Sequence, residues 1–202
     1  MSTTLTKSDP ELYNFAVEHV QKYFGARPEQ AEVMINFCEL RRFEKKSVLT
    51  QEGGMEDYLN MVLIGLVRKY FKKGKNDVTL QLATEGHIIH SEISFLQRKP
   101  SPVVIETIEP TVLLSLHYSN YLLALENLPG ADKMGRLLLT GMLVKKDERH
   151  FKQLHLTTRE RFLEYMSEHP HMLQRVPQKY LASYLNIKPE TFSRLKHLVK
   201  LR

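Results

Sequence analysis

The sequence predicts an α+β protein: a body of antiparallel strands, a sandwich or barrel, flanked by helices and closed by a C-terminal helix-turn-helix. Three observations carry this expectation. From about Arg42 to His117, short β-branched and aromatic runs are separated by Gly, Asn, Asp and Pro every 8 to 12 residues. On both sides of that region the apolar residues recur at helical spacing. The last quarter of the chain holds the entire +6 charge, because residues 151–202 contain ten Lys or Arg against four Glu.

The N-terminal forty residues read as two helices. "SDPELYNFAVEHVQKYFG" offers Ser8 or Asp9 as a cap, Pro10 in the first turn and Gly25 as a stop, with Leu12, Phe15, Ala16, Val20 and Phe24 on one face. A second helix is expected from Pro28 to about Cys38. The strand region follows, and "KKGKND" between two alternating runs reads as a hairpin loop. No βαβ alternation is present, which argues against a parallel nucleotide-binding sheet.

Helical periodicity returns over residues 131–155. Leu137, Gly141, Val144 and Phe151 fall at steps of 4, 3 and 7, with Glu148 interrupting the stripe. Such a stripe fits either a seam against another helix, with Gly141 allowing close approach, or packing on the chain's own strands. A further helix, "TTRERFLEYMSEHP", is capped by Thr157 or Thr158 and stopped by Pro170.

Composition narrows the class. With 202 residues, 42% of them hydrophobic and 26% charged, the chain has the make-up of a globular protein with room for a sizeable core. Its apolar runs are far shorter than the roughly 20 residues of a membrane span, and its N-terminus has no signal-like apolar stretch, so a cytoplasmic location is expected. The single cysteine, Cys38, forbids an intrachain disulfide and reads as a small core residue.

The basic quarter contains "LASYLNIKPETFSRL". A helix-turn-helix needs a small fifth residue where two helices cross, a left-handed-tolerant ninth, and apolar residues at the fourth, eighth, tenth, fifteenth and eighteenth. Ala182, Asn186, and Leu181, Leu185, Ile187, Phe192 and Leu195 fill these places in register. Pro189 is suited to the first turn of the second helix. That helix would present Glu190, Thr191, Ser193, Arg194 and His197 to a major groove, where Glu accepts from cytosine N4 and Arg bonds guanine O6 and N7. Lys179, Lys188, Lys196 and Lys200 are placed to meet phosphates.

Strand body, long helix and terminal helix-turn-helix, in this order and length, resemble the cyclic-AMP-receptor-protein (Crp/Fnr) family of bacterial transcription regulators. The likeness is strongest in "KPETFSRLKHL", where Glu190, Thr191 and Arg194 match the family's Glu-Thr-x-x-Arg, while Lys188 and Pro189 replace its common Ser-Arg. The resemblance implies a cyclic-nucleotide-binding-like β-roll (a jelly roll) over 1–130, a dimerisation helix over 131–155 and a winged helix-turn-helix over 156–202. Wing strands would have to lie near residues 174–177. It implies a homodimer joined through Leu137, Gly141, Val144 and Phe151, double-stranded DNA as partner, RNA polymerase as a further partner, and a hinge near His155 to Thr158.

In the family's cyclic-nucleotide binders a Gly-Glu pair holds the ribose, and an Arg about ten residues on neutralises the phosphate. Here these places hold Ser91-Glu92 and Pro102-Val103. The implied effector pocket is therefore drawn from Glu92, Arg98, Lys99 and Ser101, with Arg98 and Lys99 as replacement cations. Cyclic AMP is not the expected effector, since proline carries no charge and donates no hydrogen bond. One cysteine excludes the family's iron–sulfur sensing. His87, His90, His150, His155, His169 and His171 lack the spacing of a metal site, so no metal or other cofactor is expected. No nucleophile elbow, phosphate-binding glycine loop or paired carboxylates point to an enzyme.

Overall fold

The computed structural model describes residues 2–3, 5 and 9–199. Two helices open the chain, α1 (Pro10–Phe24) and α2 (Pro28–Ile35). Asp9 accepts a hydrogen bond from the Leu12 N–H, and Gly25 ends α1 with φ 59°, a left-handed conformation that glycine adopts without steric cost. The second helix stops at Ile35, earlier than its apolar pattern predicts. Cys38 instead opens a strand, because Cys38 to Phe43 pair residue by residue with Leu116 to Thr111. The Cys38 thiol donates to the Met34 carbonyl and is pushed up to about 12 by burial and by Glu39, which leaves it unreactive.

The strands form two antiparallel sheets. The first runs β1 (Ser2–Thr3), β2 (Cys38–Phe43), β9 (Thr111–His117), β4 (Tyr58–Ile64) and β7 (Ile88–Ile89). The second runs β3 (Val48–Thr50), β8 (Val104–Thr107), β5 (Val67–Lys73) and β6 (Asn76–Ala83). A short helix, α3 (Glu92–Gln97), precedes β8, and α4 (Tyr118–Asn127) follows β9.

Alternation along the strands explains the layers. Val62, Ile89 and Leu113 of the first sheet meet Val67, Ala83 and Ile105 of the second, making the inter-sheet core. The intervening residues Leu59, Met61, Leu63, Val112, Leu114 and Leu116 point outward, onto α1, α2 and the start of α5 (Ala131–His155). Strand β9 is thus buried on both faces, which is why it reads as a near-continuous apolar run.

The C-terminal helices cover the far side of the second sheet. They are α6 (Thr158–Glu168), α7 (Met172–Arg175), α8 (Gln178–Tyr184) and α9 (Pro189–Val199). Leu66, Leu82 and Ile108 from the strand body share one core with Phe162, Met166, Met172, Val176, Leu181 and Phe192. Thr157 and Glu160 form a reciprocal capping box at the start of α6. The expected wing strands near 174–177 are not there. Leu173 and Val176 belong to the helical core, and Met172–Arg175 turns as a short helix, so no strand forms among the described residues after 156.

Candidate nucleic-acid interface and sensor cavity

Helix α8 packs on α9 through Ala182, which is 1% exposed. Asn186 takes φ 53°, and the turn is closed by Asn186 N–H to the Ser183 carbonyl (3.1 Å) and Ile187 N–H to the Ala182 carbonyl (2.9 Å). Leu181, Leu185, Ile187 and Phe192 are all buried, and the Phe192 ring meets Phe162 edge-on at 5.2 Å. Their burial leaves the opposite face of α9 free. Pro189, Glu190, Ser193, Arg194 and His197 are exposed, Thr191 and Lys196 half-buried, and Lys179 and Lys188 exposed beside them. Arg194 touches only the Thr191 hydroxyl one turn back (3.4 Å), so its guanidinium is not consumed by the fold. Lys200 lies outside the described residues.

Some of the basic quarter is structural. Arg175 donates to Glu85 (2.8 and 2.9 Å) and to Glu109, both on loops of the strand body. Arg161 donates to the carbonyls of Gln153, Leu156 and Leu185 at 3.0 Å each, joining the end of α5 to the end of α8. Lys152 pairs with Glu164 and Glu168. The positive charge left free gathers on and around α9.

A cavity of about 560 Å³ lies where the second sheet, α5 and α8 meet, within the size range of small-molecule sites. Glu92, Ser91, Pro102 and Val103 line it, as do Lys69, Lys145, Lys146, Arg149 and Tyr184. Glu92 accepts from Lys69 (2.9 Å) and pairs with Lys146 (3.2 Å). Burial works to raise the Glu92 carboxyl, but the Lys69 and His90 charges and the Lys69 hydrogen bond outweigh it and hold it at about 2. Burial in turn pulls the Lys69 ammonium down, with Glu92 opposing.

The replacement cations proposed from the sequence are elsewhere. Arg98 ends α3 in the left-handed region (φ 53°), which turns its guanidinium onto Asp57, the Glu56 carbonyl and the Tyr118 ring. Lys99 is exposed and does not line the cavity. Ser101 is buried beneath it, bonded to the Ser91 hydroxyl (2.9 Å) and the Val103 carbonyl (2.8 Å). The cations that do line it come from β5 and α5. Nothing near Glu92 in the sequence marks them, because the sheet and the long helix bring them there. Arg149 is the joint: it donates to the Leu80 carbonyl of β6 and the Tyr184 carbonyl of α8 (2.9 Å), and lies over the Tyr184 ring at 4.0 Å.

On α5, Ala131, Met134 and Leu138 face the body, and Leu137 of the stripe lies beside Gly25 at the end of α1. Leu137, Gly141, Val144 and Phe151 are exposed. Leu139, Leu143 and Leu154, absent from the four-residue pattern, are further exposed apolar residues of the same helix, Leu154 being 75% exposed. Among the described residues no three His, Cys, Asp or Glu side chains gather as a metal site, and no helix is long and apolar enough to cross a membrane.

The succession of strand body, long helix and terminal helix-turn-helix is similar in fold to several solved structures. Among solved structures, the catabolite activator protein of Thermus thermophilus matches with TM-score 0.55 and 22% identity over 90% of this chain and 86% of its own. The c-di-GMP-responsive global regulator CLP of Xanthomonas campestris gives 0.64 and 14%, over 87% and 92%. FixK2 of Bradyrhizobium japonicum gives 0.66 and 17%, over 81% and 85%. At these identities the likeness defines the fold. No protein-family model and no curated protein sequence matches the chain.

Proposed function

We propose that this chain is a sequence-specific DNA-binding transcription regulator, working as a homodimer through α5, with a sensor cavity that does not take cyclic AMP in the usual way. The observation that carries the reading is the face of α9. Glu190, Ser193, Arg194 and His197 are exposed together, while Phe192 and its apolar neighbours anchor the helix from behind. Glu190 and Arg194 supply the acceptor and the bidentate donor that base-edge readout needs, and Lys179, Lys188 and Lys196 supply phosphate contacts.

In a dimer the two α9 helices would read successive major-groove faces about 34 Å apart. Selection from a random duplex library is the test. A palindromic consensus is expected, with Arg194→Ala losing about 1–3 kcal/mol of discrimination at one base pair. Absence of any duplex binding at low salt would refute the proposal.

The cavity supports the effector side. Pro102 stands at the phosphate-clamp position and lines the cavity without charge or donor, so a cyclic nucleotide would not be held there in the usual way. Four cations against the single carboxylate Glu92 favour a ligand with an acidic group, and contact with Tyr184 of α8 would carry its binding to the helix-turn-helix.

A further inference from the structure

We infer that the β5–β6 hairpin is a second DNA-contacting element, gripping backbone phosphates beside the helix-turn-helix. The inference rests on the reading of α9 as the DNA-reading helix.

The hairpin is built for reach. Lys73 pairs with Asn76 across a two-residue Gly74–Lys75 turn, and Gly74 at φ 62° is the glycine-first arrangement that matches strand twist. Lys72, Lys73 and Lys75 are all exposed, and none has an ion-pair partner among the described residues. Asp77, the acid at the base of the hairpin, is taken by Arg68 at 3.1 Å. Asp77 stands opposite Lys72 in the ladder but bonds Arg68, which Glu106 shares, so the three exposed lysines of the tip make no ion pair of their own among the described residues.

Its position is set by α8. The Ser183 hydroxyl donates to the Asp77 carbonyl (3.1 Å) and accepts from the Thr79 N–H (2.9 Å). The Ser183 carbonyl in turn accepts from Asn186, in the turn that launches α9. One serine thus ties the hairpin base to the turn before the recognition helix. Arg68 lies between the Tyr70 and Tyr180 rings, at 4.0 and 3.7 Å, so this face of β5 looks onto α8. Lys72, two residues past Tyr70, continues that face toward the tip. At roughly 3.4 Å per residue, Lys75 stands about 7 Å along the strand from Asp77. Free lysines beside a helix-turn-helix that has no wing strand among the described residues fit the flanking phosphates of the bound duplex.

The experiment measures the salt dependence of binding to the selected duplex, for wild type and for the triple variant Lys72→Gln, Lys73→Gln, Lys75→Gln. Every phosphate that the variant no longer neutralises should flatten the log–log salt slope by about 0.9, without changing the preferred sequence. Lys72→Arg, Lys73→Arg, Lys75→Arg should restore the slope. A charge-matched control, Lys45→Gln, Lys99→Gln, Lys133→Gln, should leave it near the wild-type value. An unchanged slope in the Gln variant overturns the inference, as does tighter binding, which would mark the hairpin as an obstruction. A control that flattens the slope equally also overturns it, since bulk charge would then explain the effect. The tip substitutions are solvent-exposed, and matching melting temperatures would show the variants folded. If the wild type binds no duplex, the reading of α9 fails; if it binds and the slope stays fixed, only the hairpin inference does.

Discussion

Arg68 shows how one residue fastens two parts of the molecule. It is 1% exposed and donates to Asp77, Glu106 and Thr79 while filling the gap between Tyr70 and Tyr180. Removing it strands two carboxylates and opens a hole between the rings. Arg68→Met should lower stability by about 3 kcal/mol, or roughly 6–12 °C in melting temperature. Calorimetry on the variant checks this, and a loss within error would show the cluster to be dispensable.

His90 sets the acid response. It is 1% exposed, its ring stands edge-on to Phe95, and neither ring nitrogen has a partner among the described residues. Burial lowers its pKa to about 4, so below pH 6.5 the unfolded chain takes the proton first. The stability it contributes is complete above pH 6.5 and is lost as pH falls toward 4, by about 3 kcal/mol for the full shift. Glu92 acts in the next window, its contribution being present above pH 4.5 and lost as pH falls through about 2. Melting curves from pH 7 to 4 should therefore descend, and His90→Phe should make that slope shallower. Equal slopes in the two proteins would contradict the assignment.

Among the elements, the helix-turn-helix was the most legible in sequence because its rules are local. Asn186 has to turn left-handed and Ala182 has to be small, whatever packs around them. Asn186→Gly should be close to neutral, whereas Asn186→Val forces a β-branched residue into that region and should cost about 1–2 kcal/mol by denaturant titration. Thr157 was legible for the same reason. Thr157→Ala should cost about 1 kcal/mol by breaking the capping box at α6. Reading failed where pairing across the molecule outweighed local preference, as at Cys38, claimed by β9, and at residues 174–177, where Leu173 and Val176 join the helical core.

At the scale of the whole molecule, Arg68 against Tyr180 is joined by further fastenings of the C-terminal helices to the strand body: Arg175 on Glu85 and Glu109, Ser183 on β6, and Arg149 between Leu80 and Tyr184. In the proposed homodimer the exposed side of α5 would meet a second copy. Leu143→Glu with Val144→Glu, both at exposed positions, should leave the fold intact and give a monomer by sedimentation. Affinity for a palindrome should then fall by roughly 100-fold or more, because two linked half-site contacts become one. A stable dimer in that variant would place the interface elsewhere.

Periodicity, turn residues and charge placement determined the order of elements, the crossing at Ala182 and the exposed basic face of α9, because each depends on residues within a few positions of one another. Which cations line the cavity, which are spent as fastenings, and where the lysine hairpin stands were decided only by the tertiary structure. Charges act through space: Lys69 and Lys146 reach Glu92, and Ser183 reaches Asp77, only after the sheets, the long helix and α8 have packed together.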